Sequence, residues 1–132
     1  MPEAQRAWGA SSWRFVVVGL SNAVIGFTLF RACLATPIEV PFKAAISQLI
    51  AYAVGITWSF YLNRRWTFRS AGRVRSQAFK FTILQISFAL LSSAAIGLSV
   101  DHWGNPATLS WLTVMAVITL LNFILSRLWA FN

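Results

Sequence analysis

The sequence predicts an all-α integral membrane protein of four transmembrane helices, and three observations carry that prediction. Of 132 residues, 58% are hydrophobic and 11% charged, whereas a soluble domain carries about a quarter charged residues and needs them to face water. Four apolar stretches, at about 15–35, 44–62, 81–100 and 107–125, each approach the ~20 residues that cross a ~30 Å hydrocarbon core at 1.5 Å per residue. The basic residues gather in alternate connections rather than being spread along the chain.

The first stretch follows a polar segment that contains Arg6 and Arg14. Its length reads as an uncleaved span rather than as the short apolar centre of a signal peptide. Thr36-Pro37 and Val40-Pro41 break the chain before the second stretch. That stretch ends at Asn63-Arg64-Arg65 and opens into a polar, basic connection. The third stretch begins after Lys80, and Gly104-Asn105-Pro106 turns the chain into the fourth. The period-two alternation of a membrane β-barrel is absent. The whole chain, 1–132, therefore reads as one transmembrane domain.

Orientation follows from Lys and Arg. Arg6, Arg14, Arg64, Arg65, Arg69, Arg73, Arg75, Lys80 and Arg127 fall on one side of a four-span chain, against Arg31 and Lys43 on the other. The positive-inside rule places both termini and the middle connection in the cytosol. The net charge of +8 is interleaved with apolar runs. It points to anionic or phosphate-bearing lipid and not to nucleic acid.

The two halves resemble each other. Ser59-Phe60-Tyr61-Leu62-Asn63-Arg64-Arg65-Trp66-Thr67-Phe68 aligns with Asn122-Phe123-Ile124-Leu125-Ser126-Arg127-Leu128-Trp129-Ala130-Phe131, and Arg14-Phe15 aligns with Lys80-Phe81. The expected architecture is a tandem two-helix repeat, with units of about 12–68 and 78–131 related by an axis along the membrane normal. Each unit closes on Arg-x-Trp-x-Phe. Arg14, Trp66, Phe68, Lys80, Trp129 and Phe131 are candidate interface anchors, since indoles and basic side chains favour headgroup depth.

Polar residues recur on one stripe of each span: Asn22 between Gly19 and Gly26; Gln48, Tyr52, Gly55, Ser59 and Asn63; Gln85 and Ser92; Thr119, Asn122 and Ser126. Such groups in hydrocarbon face the bundle interior or a wet cavity. They serve either as helix–helix glue or, for Asn22, Gln85 and Asn122 in the cytosolic halves, as contacts for a polar headgroup. Asn63, Arg64 and Arg127 complete the candidate headgroup- and phosphate-binding set. Arg31, near the outer interface, reads as a snorkelling residue that could also pair with Glu39.

The chain excludes several classes. Cys33 is a lone cysteine and His102 a lone histidine, so neither a disulfide nor a metal cluster can form within one chain. No nucleophile–base–acid set, paired carboxylates or phosphate-cradling loop can be assembled. The reading is a non-enzyme without cofactor or metal. Glu3, Glu39 and Asp101 all lie outside the apolar stretches, which weighs against a small proton-coupled exporter of drug-like cations.

Arg14-Phe15 with Val18-Gly19-Leu20-Ser21-Asn22, then Ser59-Phe60-x-x-Asn63-Arg64-x-Trp66-Thr67-Phe68, then Lys80-Phe81 and Asn122-Phe123-x-x-Ser126-Arg127-x-Trp129-x-Phe131 together resemble the GtrA-like family over nearly the whole chain. Lys80 stands where that family has Arg, and Ser126 where the first half has Asn63. The resemblance implies flipping of a polyprenyl-phosphate-linked sugar from the cytoplasmic to the outer leaflet of the bacterial inner membrane, for envelope polysaccharide such as O-antigen. It also implies a membrane glycosyltransferase as partner. The alternative is a non-transporting anchor that recruits that glycosyltransferase through the basic connection. Four short helices enclose little space for a sugar phosphate, so a homodimer or hetero-complex is expected.

Overall fold

The computed structural model describes residues 3–62 and 74–130. Four helices follow one another: α1 (Glu3–Ala35), α2 (Lys43–Leu62), α3 (Val74–Ile96), which runs on as a π-helical segment (Gly97–His102), and α4 (Ala107–Leu125), which ends in a second π-helical segment (Ser126–Ala130). All four are long and apolar enough to cross a membrane, over Val16–Leu34, Lys43–Leu62, Ala78–His102 and Ala107–Leu125. The predicted spans match these within a few residues.

Two helices exceed their apolar stretches. α1 begins at Glu3, well before residue 15, because Ala4, Gln5, Arg6, Ala7 and Ala10 are good helix formers. Membrane entry and helix start are thus separate events. The third span, predicted to stop at 100, continues to His102. There the Trp103 N–H donates to the Leu98 carbonyl at 3.0 Å, five residues back. The Gly104 N–H donates to Val100 O at 3.2 Å, and Gly104 itself takes φ +71°, a backbone region open to glycine without steric cost.

Helices adjacent in sequence pack side by side, α1 on α2, α2 on α3 and α3 on α4. The half of the bundle that holds the two inter-helix turns is filled. Phe30, Ala44, Ala51, Ile96 and Trp111 form a buried cluster, extended by Phe27, Leu34, Val100 and Met115. A smaller cluster of Leu84, Phe88 and Ile118 joins α3 to α4. Outward faces are apolar: Leu20, Val24, Leu90, Leu91, Leu109, Leu112, Val117 and Leu120 are all exposed. In water these would make an untenable patch; in lipid they meet their own kind. This is a multi-pass membrane protein.

Asp101 does more than end a span. Its Oδ1 accepts from the Ala44 N–H at 3.0 Å and its Oδ2 from the Ala45 N–H at 3.1 Å. The first turn of α2 has no intrahelical partners for these donors, and the acid brought by α3 supplies them. The Ser93 hydroxyl adds a bond to the Ala45 carbonyl at 2.7 Å. Gly97 lets the helices close, because a Cβ there would stand 2.9 Å from the Ala45 Cβ. Asp101→Ala is therefore expected to lower stability by about 1 kcal/mol, the usual value of a helix cap, read as a fall in the thermal unfolding midpoint in detergent. Arg31 is exposed, and among the described residues it forms no ion pair with Glu39. Lys43 Nζ instead donates to the Thr36 carbonyl at 2.7 Å.

Candidate functional site

Two layers of polar contacts cross the bundle, and they differ in what they close. The layer nearer the turns centres on Gln48, which is 2% exposed. Its Nε2 donates to Ser92 Oγ at 3.1 Å and lies 3.3 Å from Met115 Sδ, while its Oε1 accepts from Trp111 Nε1 at 3.1 Å. The Trp111 ring stands edge-on to Phe27, with centroids 5.2 Å apart and planes at 62°. Its Cζ2 lies 3.7 Å from where a Cβ on Gly26 would be. α1 and α4 meet through this indole, which shuts the space between them on the turn side.

The second layer lies nearer the chain ends. The Tyr52 hydroxyl donates to Gln85 Oε1 at 3.0 Å, and Gln85 Nε2 donates to Asn122 Oδ1 at 2.9 Å. One helical turn on, the Ser126 hydroxyl donates to the same Asn122 oxygen at 3.0 Å. On the facing helix Asn22 Oδ1 lies against Gly55: a Cβ at that glycine would stand 2.6 Å from it. This oxygen is buried and has no hydrogen-bond partner among the described residues. It takes the side facing the Cα–H groups, where an oxygen can accept weakly and an NH₂ would meet hydrogen with hydrogen.

From the Gln48–Trp111 layer past the second layer toward the chain ends, as far as Val16, Ser59 and Phe81, runs a cavity of about 550 Å³. α1 contributes Val16, Gly19, Asn22 and Gly26; α2 contributes Gln48, Tyr52, Gly55 and Ser59; α3 contributes Phe81 and Gln85; α4 contributes Trp111, Met115, Thr119 and Asn122. Gly19 would find nothing within 4 Å of an added Cβ, so this wall borders open space. The lips are apolar, from Leu20 and Ala23 on α1 and from Leu120 and Phe123 on α4, and all four are exposed. A second hollow, on the outer side of α2 at Ala53, Val54, Thr57, Trp58 and Tyr61, holds none of the predicted site residues.

Three of the six predicted binding residues, Asn22, Gln85 and Asn122, line this one cavity. Asn63, Arg64, Trp66, Phe68, Phe131 and the side chain of Arg127 lie outside the described residues. Of the predicted anchors, Lys80 places its Nζ 5.9 Å from the centre of the Trp129 ring. This cation–π contact pins the start of α3 to the end of α4. The Arg14 guanidinium stands 5.8 Å from the neighbouring Trp13 ring. Sequence reasoning missed Trp111 as the floor of the cavity and Gly55 as the seat of Asn22. A signal existed for the first, because Trp111 follows Gln48 by 63 residues, the same offset that aligns the two closing motifs. Among the described residues no cluster of His, Cys, Asp and Glu could hold a metal ion.

A helical membrane bundle whose largely apolar cavity carries a few polar groups from all four helices defines a class of small polytopic membrane protein. Residues 14–131 match the family described as GtrA/DPMS, transmembrane domain, and the chain belongs to that family. It is 23% identical over 123 residues to the bactoprenol-linked glucose translocase of Shigella phage SfV, with 90% of this chain and 92% of the relative covered. It is 22% identical over 119 residues to the protein of the same name from Salmonella phage P22, with the same coverage. Bacillus subtilis (strain 168) has a further relative, the uncharacterized membrane protein YngA, 28% identical over 125 residues, with 90% of this chain and 78% of the relative covered. No solved structure matches the chain.

Proposed function

We propose that this protein translocates a polyprenyl-phosphate-linked sugar from the cytoplasmic to the outer leaflet of the bacterial inner membrane, for envelope polysaccharide synthesis. The observation that carries the reading is the cavity: polar groups from all four helices line a space inside a membrane-spanning bundle, behind apolar lips on α1 and α4. A sugar phosphate cannot enter hydrocarbon without replacing its hydration, and this space offers amide and hydroxyl groups for that purpose. The volume lies within the ~300–1,000 Å³ typical of small-ligand sites. The prenyl chain stays in the bilayer and runs out between the lips. Membership of the GtrA/DPMS family and similarity to proteins named as bactoprenol-linked glucose translocases support the substrate class.

In this reading both termini and the basic connection are cytosolic, as the Lys and Arg asymmetry predicts. The cavity then faces the cytosolic leaflet, where a partner glycosyltransferase charges the lipid. Arg64 and Arg127 hold the phosphate as it approaches, and a homodimer or hetero-complex completes the path. A tandem repeat is supported by paired contacts: Gly26 packs on Trp111 and Ser92 bonds to Gln48. Ser92 follows Gly26 by the offset that relates Lys80 to Arg14. Likewise Trp111 follows Gln48 by the offset that relates the closing motifs.

Reconstitution in liposomes with a labelled polyprenyl-phosphate sugar tests the proposal. Transfer well above protein-free vesicles is the expected outcome. Transfer at the protein-free rate, with glycosyltransferase recruitment intact, would establish the anchoring role instead.

A further inference from the structure

The two asparagines of the cavity share a feature that its glutamines and its tyrosine lack. Asn122 Oδ1 already accepts from Gln85 Nε2 and Ser126 Oγ. Those two bonds fix the amide so that its NH₂ is left over. Asn22 Oδ1 is wedged against Gly55, which turns its NH₂ the other way. Neither NH₂ has a hydrogen-bond partner among the described residues. Both side chains line the same cavity, one from α1 and one from α4. Gln48, Tyr52 and Gln85 are, by contrast, all committed to protein partners. A polar hydrogen left unpaired in hydrocarbon is unfavourable, and here two amide groups are held open by dedicated seats.

We infer that Asn22 and Asn122 are a pair of amide donors that take the phosphodiester of the lipid inside the cavity. The inference rests on the translocation reading and assigns the headgroup's phosphate a place within it. One of these amide oxygens accepts two hydrogen bonds and the other is buried against Gly55, so the two side chains offer the cavity donors alone. That suits a ligand group that only accepts, and a phosphodiester is such a group. A sugar hydroxyl also needs an acceptor, and neither of these amides offers one. The Thr119 hydroxyl, one turn before Asn122 and on the same cavity wall, can add a third donor. Neutral donors hold the phosphate less tightly than arginine would, which suits a site that must release its cargo.

The test is equilibrium binding of farnesyl phosphate and of farnesol to the full chain in detergent. The unsubstituted protein should prefer the phosphate at least about tenfold, equivalent to 1.4 kcal/mol. Asn122→Asp keeps an oxygen for Gln85 and Ser126, so the fold survives, but it replaces the donor with an acceptor that repels phosphate. Farnesyl phosphate binding should weaken at least tenfold while farnesol binding is unmoved. Asn22→Ala, on the other wall, gives the same pattern without adding charge and serves if Asn122→Asp unfolds. Farnesyl phosphate binding unchanged in both variants, or farnesol binding as tight as the phosphate, would overturn the inference. Displacement by inorganic phosphate at equal concentration would overturn the assignment to a lipid. Transport absent from liposomes while this selectivity persists would count against the translocation reading and not against the donor pair.

Discussion

Trp111→Ala is expected to be the most destabilising single substitution in the turn half of the bundle, by about 3–5 kcal/mol, the range for truncating a buried aromatic. The residue is 6% exposed and fills the cluster with Phe30, Ala44, Ala51 and Ile96. Its loss also removes the edge-on contact with Phe27, about 0.5–1.5 kcal/mol in such pairs. In a bilayer the helices are held mainly by packing of this kind, since lipid is as apolar as the core. Trp111→Phe separates packing from hydrogen bonding. It keeps an aromatic ring but leaves Gln48 Oε1 without its donor, and within membranes a lost interhelical bond averages about 0.6 kcal/mol. Thermal unfolding in detergent should therefore rank the wild type above Trp111→Phe, and Trp111→Phe well above Trp111→Ala. Equal midpoints for the alanine variant and the wild type would mean that α1 and α4 are not joined through this indole.

Gly55→Leu is expected to abolish transport while leaving a four-span protein in the membrane. Even a Cβ at this position would stand 2.6 Å from Asn22 Oδ1, closer than real contacts allow. For Gly55→Ala the Asn22 side chain can swing aside, so stability changes little, but the amide loses its seat. Transport should then fall at least about tenfold, the equivalent of 1.4 kcal/mol. Leucine goes further and fills cavity volume between α1 and α2. The overpacking is unfavourable by about 1–3 kcal/mol, below what membrane insertion of apolar spans would notice. Initial flipping rates in liposomes, normalised to inserted protein, give the readout. Wild-type rates in Gly55→Leu would place the substrate path elsewhere.

Much of the fold could be read from residues because hydrocarbon imposes a coarse code. Length, apolarity and turn signals located all four spans, and only the ends moved. α1 began early because helix propensity, not hydropathy, governs Glu3 to Arg14. α3 ran late because Asp101 found partners on α2 and so had no need to mark a boundary. The cavity lining was legible in part for the same reason: Asn22, Gln85 and Asn122 stood out as polar groups in apolar runs. Which of them bonded to which was not legible. Gln85 and Asn122 meet across helices, and the Asn22–Gly55 contact depends on how closely α1 approaches α2. Trp111 was hidden because a tryptophan in a membrane span gives no sign of whether it faces lipid or closes a cavity. Its place, 63 residues after Gln48, was the available clue.

On the proposed function, the cavity between α1 and α4 opens to the cytosolic side and receives the headgroup of a lipid-linked sugar. A single cysteine at Thr119, which is exposed on the cavity wall, tests it directly in a Cys33→Ser background. A membrane-impermeant maleimide should label this cysteine in inside-out vesicles and not in right-side-out ones. Polyprenyl-phosphate-linked sugar should protect it. Labelling confined to right-side-out vesicles would reverse the orientation, and labelling that the lipid-linked sugar does not slow would contradict the cavity as its site.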